Sequence, residues 1–94
     1  MIERAADRLF VDTPMVMGNA KALLAAGESV LAAQGSALMD LSRVREADSS
    51  AVAVMLAWLR RAAEKGVQVH FANVPQGVRT LAELYGVTEL LPLA

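Results

Sequence analysis

Residues 36–65 constrain the fold more than any other part of the chain, because an apolar strand and a strongly apolar helix follow one another across a short polar connection. Ser36-Ala37-Leu38-Met39-Asp40-Leu41 is short, apolar and preceded by Gly35, as a central strand would be. Asp48-Ser49-Ser50 then opens the apolar run 51–59, and Lys65-Gly66 closes it. A capping carboxylate at one end, with a cation and a glycine stop at the other, predicts a helix over 49–65. Val67, Val69 and Phe71 next alternate with Gln68, His70 and Ala72, which is strand periodicity. Strand, helix and strand in this order imply parallel neighbours joined by a right-handed crossover.

The flanking segments extend the same pattern. Asn19 is a good cap, and Leu23, Leu24, Gly27, Val30 and Leu31 follow at helical spacing, predicting a helix over 20–33 that ends before Gln34-Gly35. Gly27 counts against that helix by about 1 kcal/mol relative to alanine. Asn73 and Pro75 start a third helix, with Val78, Leu81, Ala82 and Tyr85 on one face and Gly86 at its end; 87–91 adds a final turn before Pro92. Towards the amino end, Leu9, Val11 and Met15-Val16-Met17 read as one or two short strands broken by Asp12-Thr13-Pro14. The expected architecture is α/β: a single domain over residues 1–94, with a mixed sheet of four to five strands flanked by three to four helices.

Composition narrows the function. A chain of 94 residues is one domain that removes about 60 to 65% of its unfolded surface from water. A net charge of −1 with scattered basic residues leaves no cationic stripe for a nucleic-acid backbone. Cysteine is absent, which excludes disulfides, thiol nucleophiles and thiolate metal sites. The apolar run 51–59 is less than half of the roughly 20 residues that span a bilayer. The start, Met1-Ile2-Glu3-Arg4-Ala5-Ala6-Asp7-Arg8, lacks the apolar core of a secretory signal. The expected location is therefore the cytoplasm, without direct insertion into a membrane.

The candidate site lies on the helix over 49–65. At 100° per residue, Val52, Met55, Leu56, Leu59 and Ala63 form a stripe expected to face the sheet. The opposite side carries Ser50, Val54, Ala57 and Arg61, with Trp58 on its flank, and an ordinary solvent-facing helix would be polar there. Either another helix of the domain covers this strip or a second protein docks on it; the expectation is docking, through Asp48, Ser49, Ser50, Ala51, Val54, Ala57, Trp58 and Arg61. Ser49 and Ser50 sit at the positive end of the helix dipole, where hydroxyls cap a helix or carry a phosphate.

Catalytic chemistry is not expected. Asp40 and Asp48 read as a strand-end acid and a cap, because a Mg²⁺ site needs more oxygen ligands than Glu46 alone would add. His70 stands in a strand with no nucleophile beside it and reads as structural. A hydrolase or phosphotransfer enzyme using Asp40 and Ser49 would need a base to activate the serine, and none is placed to do so. No phosphate-cradling Gly-x-x-x-x-Gly-Lys-Ser/Thr loop is present. No catalytic residue, metal ligand or cofactor is assigned.

Asp40-Leu41-Ser42 followed by Asp48-Ser49-Ser50-Ala51-Val52-Ala53-Val54-Met55-Leu56 resembles the central signature of the STAS domain. That is the fold of bacterial anti-sigma factor antagonists and of the MlaB subunit of phospholipid-transport ABC systems. The likeness continues through Lys65-Gly66-Val67-Gln68-Val69-His70-Phe71-Ala72-Asn73-Val74-Pro75 and Leu84-Tyr85-Gly86-Val87; it covers residues 36 to 93 and, more loosely, the whole chain. The regulated serine of the antagonists matches Ser50 and the characteristic hydroxyl of MlaB-like members matches Ser49, so the motif alone does not choose between them. Where the family usually has glycine, this chain has Ala51 and Ala53, each adding a methyl where a partner would approach.

The short amino-terminal part and the ending Leu81-Ala82-Glu83-Leu84-Tyr85-Gly86-Val87-Thr88-Glu89-Leu90-Leu91-Pro92 favour the MlaB-like likeness. It implies a non-enzymatic accessory subunit that binds the cytoplasmic ATPase of an ABC system maintaining outer-membrane lipid asymmetry, associated with the membrane only through that complex. The alternative it implies is an anti-sigma factor antagonist that captures an anti-sigma factor kinase and is released by serine phosphorylation.

Overall fold

A computed structural model describes residues 1–33 and 35–94. Four strands form one mixed sheet in the order β1 (Ile2–Ala5), β2 (Arg8–Val11), β3 (Ser36–Asp40), β4 (Gln68–Ala72). β1 and β2 are an antiparallel hairpin, and β2, β3 and β4 are parallel. Three α-helices, α1 (Ala20–Leu31), α2 (Ser49–Glu64) and α3 (Gln76–Leu84), accompany the sheet among the described residues. The mixed α/β architecture is therefore the expected one.

The sheet buries one face. Leu9, Met39 and Phe71 lie in one cross-strand row and are all buried, whereas Leu38 and His70, paired with each other on the reverse face, are half-buried and exposed. This alternation belongs to a sheet covered by helices on one side only. His70 thus points away from the core. The chain's end adds to the β4 edge: the Phe71 amide donates to the Pro92 carbonyl, and the Ala94 amide to the Phe71 carbonyl, both at 2.8 Å.

The structure departs from expectation in the amino-terminal region. β1 was not expected, and its hairpin turns through Ala6 at φ 56° with no glycine to announce it. Of the Met15-Val16-Met17 run, only Met15 forms a β-bridge, to Ala47, and Met17–Asn19 is a 3-10 turn leading into α1. Asn73 does not start α3: it takes a left-handed conformation (φ 54°) and turns the chain before Pro75. α1 ends at Leu31; the stop expected at Gln34-Gly35 falls partly on Gln34, outside the described residues. At α2 the stop is as expected: Gly66 (φ 71°) lets the Val67 amide reach back to the Ala62 carbonyl at 2.8 Å.

The buried arc of α2 is Ala51, Val52, Val54, Met55, Trp58 and Ala62. Leu56 and Leu59, expected in the core stripe, are half-buried, and Ala63 is exposed. The arc is rotated toward α1 because α2 packs along α1 as well as on the sheet. Trp58, fully buried, seals that contact: its indole Nε1 donates to the Leu24 carbonyl at 3.2 Å. A Cβ at Gly27 would come within 2.0 Å of that nitrogen, so the glycine that weakens α1 by propensity is what lets the indole enter.

Candidate functional site

Geometry at the start of α2 follows from Asp48. Its extended backbone (φ −124°) places the side chain over the first turn, where Oδ1 accepts from the Ser50 amide at 2.8 Å and Oδ2 from the Met17 amide at 3.0 Å. The Asp48 amide donates to the Met15 carbonyl at 3.1 Å. Asp48 is thus both the cap of α2 and the clasp that holds the 15–17 segment against it. The Met17 amide, then that of Ser50, hold its carboxyl below the usual carboxylate range.

Asp40 is a separate, buried structural centre. Burial raises its pKa, and hydrogen bonds more than offset this: Ser42 donates at 2.8 Å, Arg8 at 2.6 Å and Asn73 at 3.1 Å, leaving the group at about 2. The carboxylate ties β2, β3 and the turn after β4 together. Its oxygens are thus committed, and no set of three or more His, Cys, Asp or Glu residues among those described could hold a metal ion.

Much of the expected docking strip lies inside the molecule. Val54, placed on the outer side by sequence periodicity, Trp58, placed on its flank, and Ala51, expected in the docking set, are buried at 5%, 0% and 0% exposure. The physical reason is α1, which packs on that side and makes the indole an internal anchor. Arg61 is also engaged within the domain, its Nε 3.1 Å from Glu28 Oε1 on α1.

A different face of the same helix stays open. Ser49 and Ala53 are exposed, Ser50 and Ala57 half-buried, and they form a ridge between two shallow grooves. The groove on the α1 side, about 380 Å³, runs between Ala20, Lys21 and Leu24 and the α2 residues Ser50, Ala53 and Ala57. The groove on the α3 side, about 320 Å³, is bounded by Ser49, Ala53, Leu56, Tyr85 and Val87. Both are mostly apolar, and Ala53 lines both.

Sequence reasoning missed Lys21, Leu24, Tyr85 and Val87 as lining residues, and Met17 as an exposed neighbour. Tyr85 was expected on the packed face of α3 but is 51% exposed, with Leu84 and Leu90 more exposed still. α3 ends at Leu84 and the chain turns away at Gly86, so large apolar residues at and just after the helix end are the signal that could have been read.

Comparison with known proteins agrees with this architecture. A family model described as the MlaB-type STAS domain matches residues 2–92. No curated protein matches the sequence significantly. Among solved structures, a Thermotoga maritima protein assigned as an anti-sigma factor antagonist superposes with a TM-score of 0.77 at 13% identity, over 99% of this chain and 83% of that one. The anti-sigma factor antagonist SpoIIAA in its unphosphorylated form gives 0.73 at 15% identity, over 100% and 86%. The murine anion transporter Slc26a9 gives 0.72 at 17% identity, over 93% of this chain and 15% of that much longer one. At these identities the structural likeness concerns the fold. The match along the sequence carries more: from the hairpin at its start to the tail beside β4, the chain belongs to the STAS domain family, of the MlaB type.

Proposed function

We propose that this chain is a non-enzymatic accessory subunit that binds, through the ridge at the start of α2, the cytoplasmic ATPase subunit of a phospholipid-transport ABC system. The observation that carries the reading is the open face itself: Ser49, Ser50, Ala53 and Ala57 lie between two apolar grooves that the domain leaves uncovered. Small side chains on a ridge let a partner helix approach closely, and apolar grooves on either side give it surface to bury. The MlaB-type family match supports an ABC partner over others. No described helix is long and apolar enough to cross a membrane, so an association with one would run through the partner.

A second reading is favoured by one feature. Ser50 is two residues after Asp48, the spacing of the regulated serine in partner-switching antagonists, and a phosphate there would add charge at the mouth of the α1-side groove. Under this reading the partner is an anti-sigma factor kinase.

The test uses purified proteins. Ala53→Arg places a long cation on the ridge, and is expected to weaken capture of the ABC ATPase subunit by about 2 kcal/mol, roughly thirtyfold, with the unfolding midpoint unchanged. Capture of an anti-sigma factor kinase instead, released on Ser50 phosphorylation, would establish the second reading. Undiminished capture by Ala53→Arg would remove this face from the interface.

A further inference from the structure

We infer that Met17 is an oxidation site controlling the docking face, an inference that rests on the docking proposed above. Met15, Met39 and Met55 are buried at 1%, 0% and 0% exposure, whereas Met17 is 76% exposed. Met1 is also open to solvent, but it lies at the β1 edge of the sheet.

Met17 is not simply a loose surface residue. The Met15 amide donates to the Glu46 carbonyl at 2.9 Å, the Asp48 amide to the Met15 carbonyl at 3.1 Å, and the Met17 amide to Asp48 Oδ2 at 3.0 Å. These bonds fix the backbone of Met17 against the cap of α2. From there the chain enters α1, whose Ala20 and Lys21 line the groove beside Ser50 and Ala53. Asp48 thus accepts from the Met17 amide with one carboxylate oxygen and from the Ser50 amide with the other, so an exposed, unbranched and polarisable side chain stands beside the start of the ridge, where a docking partner would meet it.

The chemistry needs a hydroperoxide as oxidant, hydrogen peroxide being the simplest. A lone pair on the Met17 sulfur attacks one peroxide oxygen, the O–O bond breaks and an S–O bond forms. The thioether loses two electrons and becomes a sulfoxide, while the peroxide's second oxygen leaves as water. The product is polar and chiral, so it opposes burial under a partner, and methionine sulfoxide reductases reverse it by oxidising two thiols to a disulfide, the oxygen leaving as water. Met17 is 76% exposed, so the added oxygen meets water in the free domain and the fold is expected to persist.

The experiment treats the purified chain with dilute hydrogen peroxide, maps the added oxygen by peptide mass, and measures the affinity for the purified ABC ATPase subunit. Oxygen is expected at Met17, and at Met1, before Met15, Met39 or Met55, with an unchanged unfolding midpoint. Affinity is expected to fall about tenfold and to recover on treatment with the reductase. In Met17→Leu, which keeps Met1, the affinity after peroxide should equal that variant's own untreated affinity, and Met17→Gln should bind as weakly as the oxidised protein. Equal loss in wild type and Met17→Leu, or no loss in wild type, overturns the inference. If peroxide has no effect while Ala53→Arg weakens capture, the docking face stands and only the switch falls; if untreated wild type captures nothing, the docking reading itself fails and takes the switch with it.

Discussion

The two sides of α2 invite comparison. Toward α1 the helix presents Val54 and Trp58, large, apolar and sealed, with the indole seated on Gly27 and bonded to a backbone carbonyl. One-third of a turn away it presents Ser49, Ala53 and Ala57, small side chains left uncovered between grooves. Size separates the two: the bulky residues bury enough surface to hold two helices together, whereas the small ones bury little and leave room for a visitor. A large apolar residue on a two-sided helix is thus better evidence of a neighbour within the domain than of a partner outside it.

The comparison can be broken most sharply at Trp58. Trp58→Ala is expected to cost about 3–5 kcal/mol of stability, seen as a large fall in the urea midpoint of the isolated chain. A loss of partner affinity at unchanged stability would return the indole to the surface. Gly27→Ala tests the same seam from the other helix: the added methyl should cost about 1–3 kcal/mol although alanine is the better helix former. A stabilised variant would mean the indole can move aside.

Asp40 sharpens the comparison by pH. Its folded pKa of about 2 lies below its ordinary 3.8, so its stabilisation is fully present above the ordinary value and is lost as pH falls through the folded one. That window, from about pH 4 to pH 2, should carry about 2 kcal/mol of stability, read from urea midpoints across the range. Asp40→Asn should flatten this dependence, and an unchanged slope would place the acid sensitivity elsewhere. The smallest effect is expected at Arg61, whose pair with Glu28 is half in water: Arg61→Gln should change stability by no more than about 0.5 kcal/mol.

The elements after residue 35 were legible because each carries its own period and its own stop. Asp48 caps α2, Gly66 ends it, and Val69 and Phe71 alternate with polar residues as a one-sided strand requires. β1 was not legible because Ile2-Glu3-Arg4-Ala5 is a charged edge strand, protected from aggregation by the same polarity that hides it, and its turn lacks glycine. Within the candidate site, capping chemistry found Asp48, Ser49 and Ser50, and the likeness to the STAS signature gave the two serines a role beyond the cap. The grooves were not legible, since Lys21 and Leu24 come from α1 and Tyr85 and Val87 from the chain just after α3, two other parts of the chain that share no local pattern.

Local rules were enough to establish that strands alternate with helices, that an aspartate caps the middle helix, and that two hydroxyls stand at its positive end, because capping, propensity and periodicity act over a few residues. Which arc of α2 meets water was decided only by tertiary packing. An apolar residue records that something covers it but not what, and the answer depended on α1, brought alongside by the sheet and admitting the indole through the one residue without a side chain.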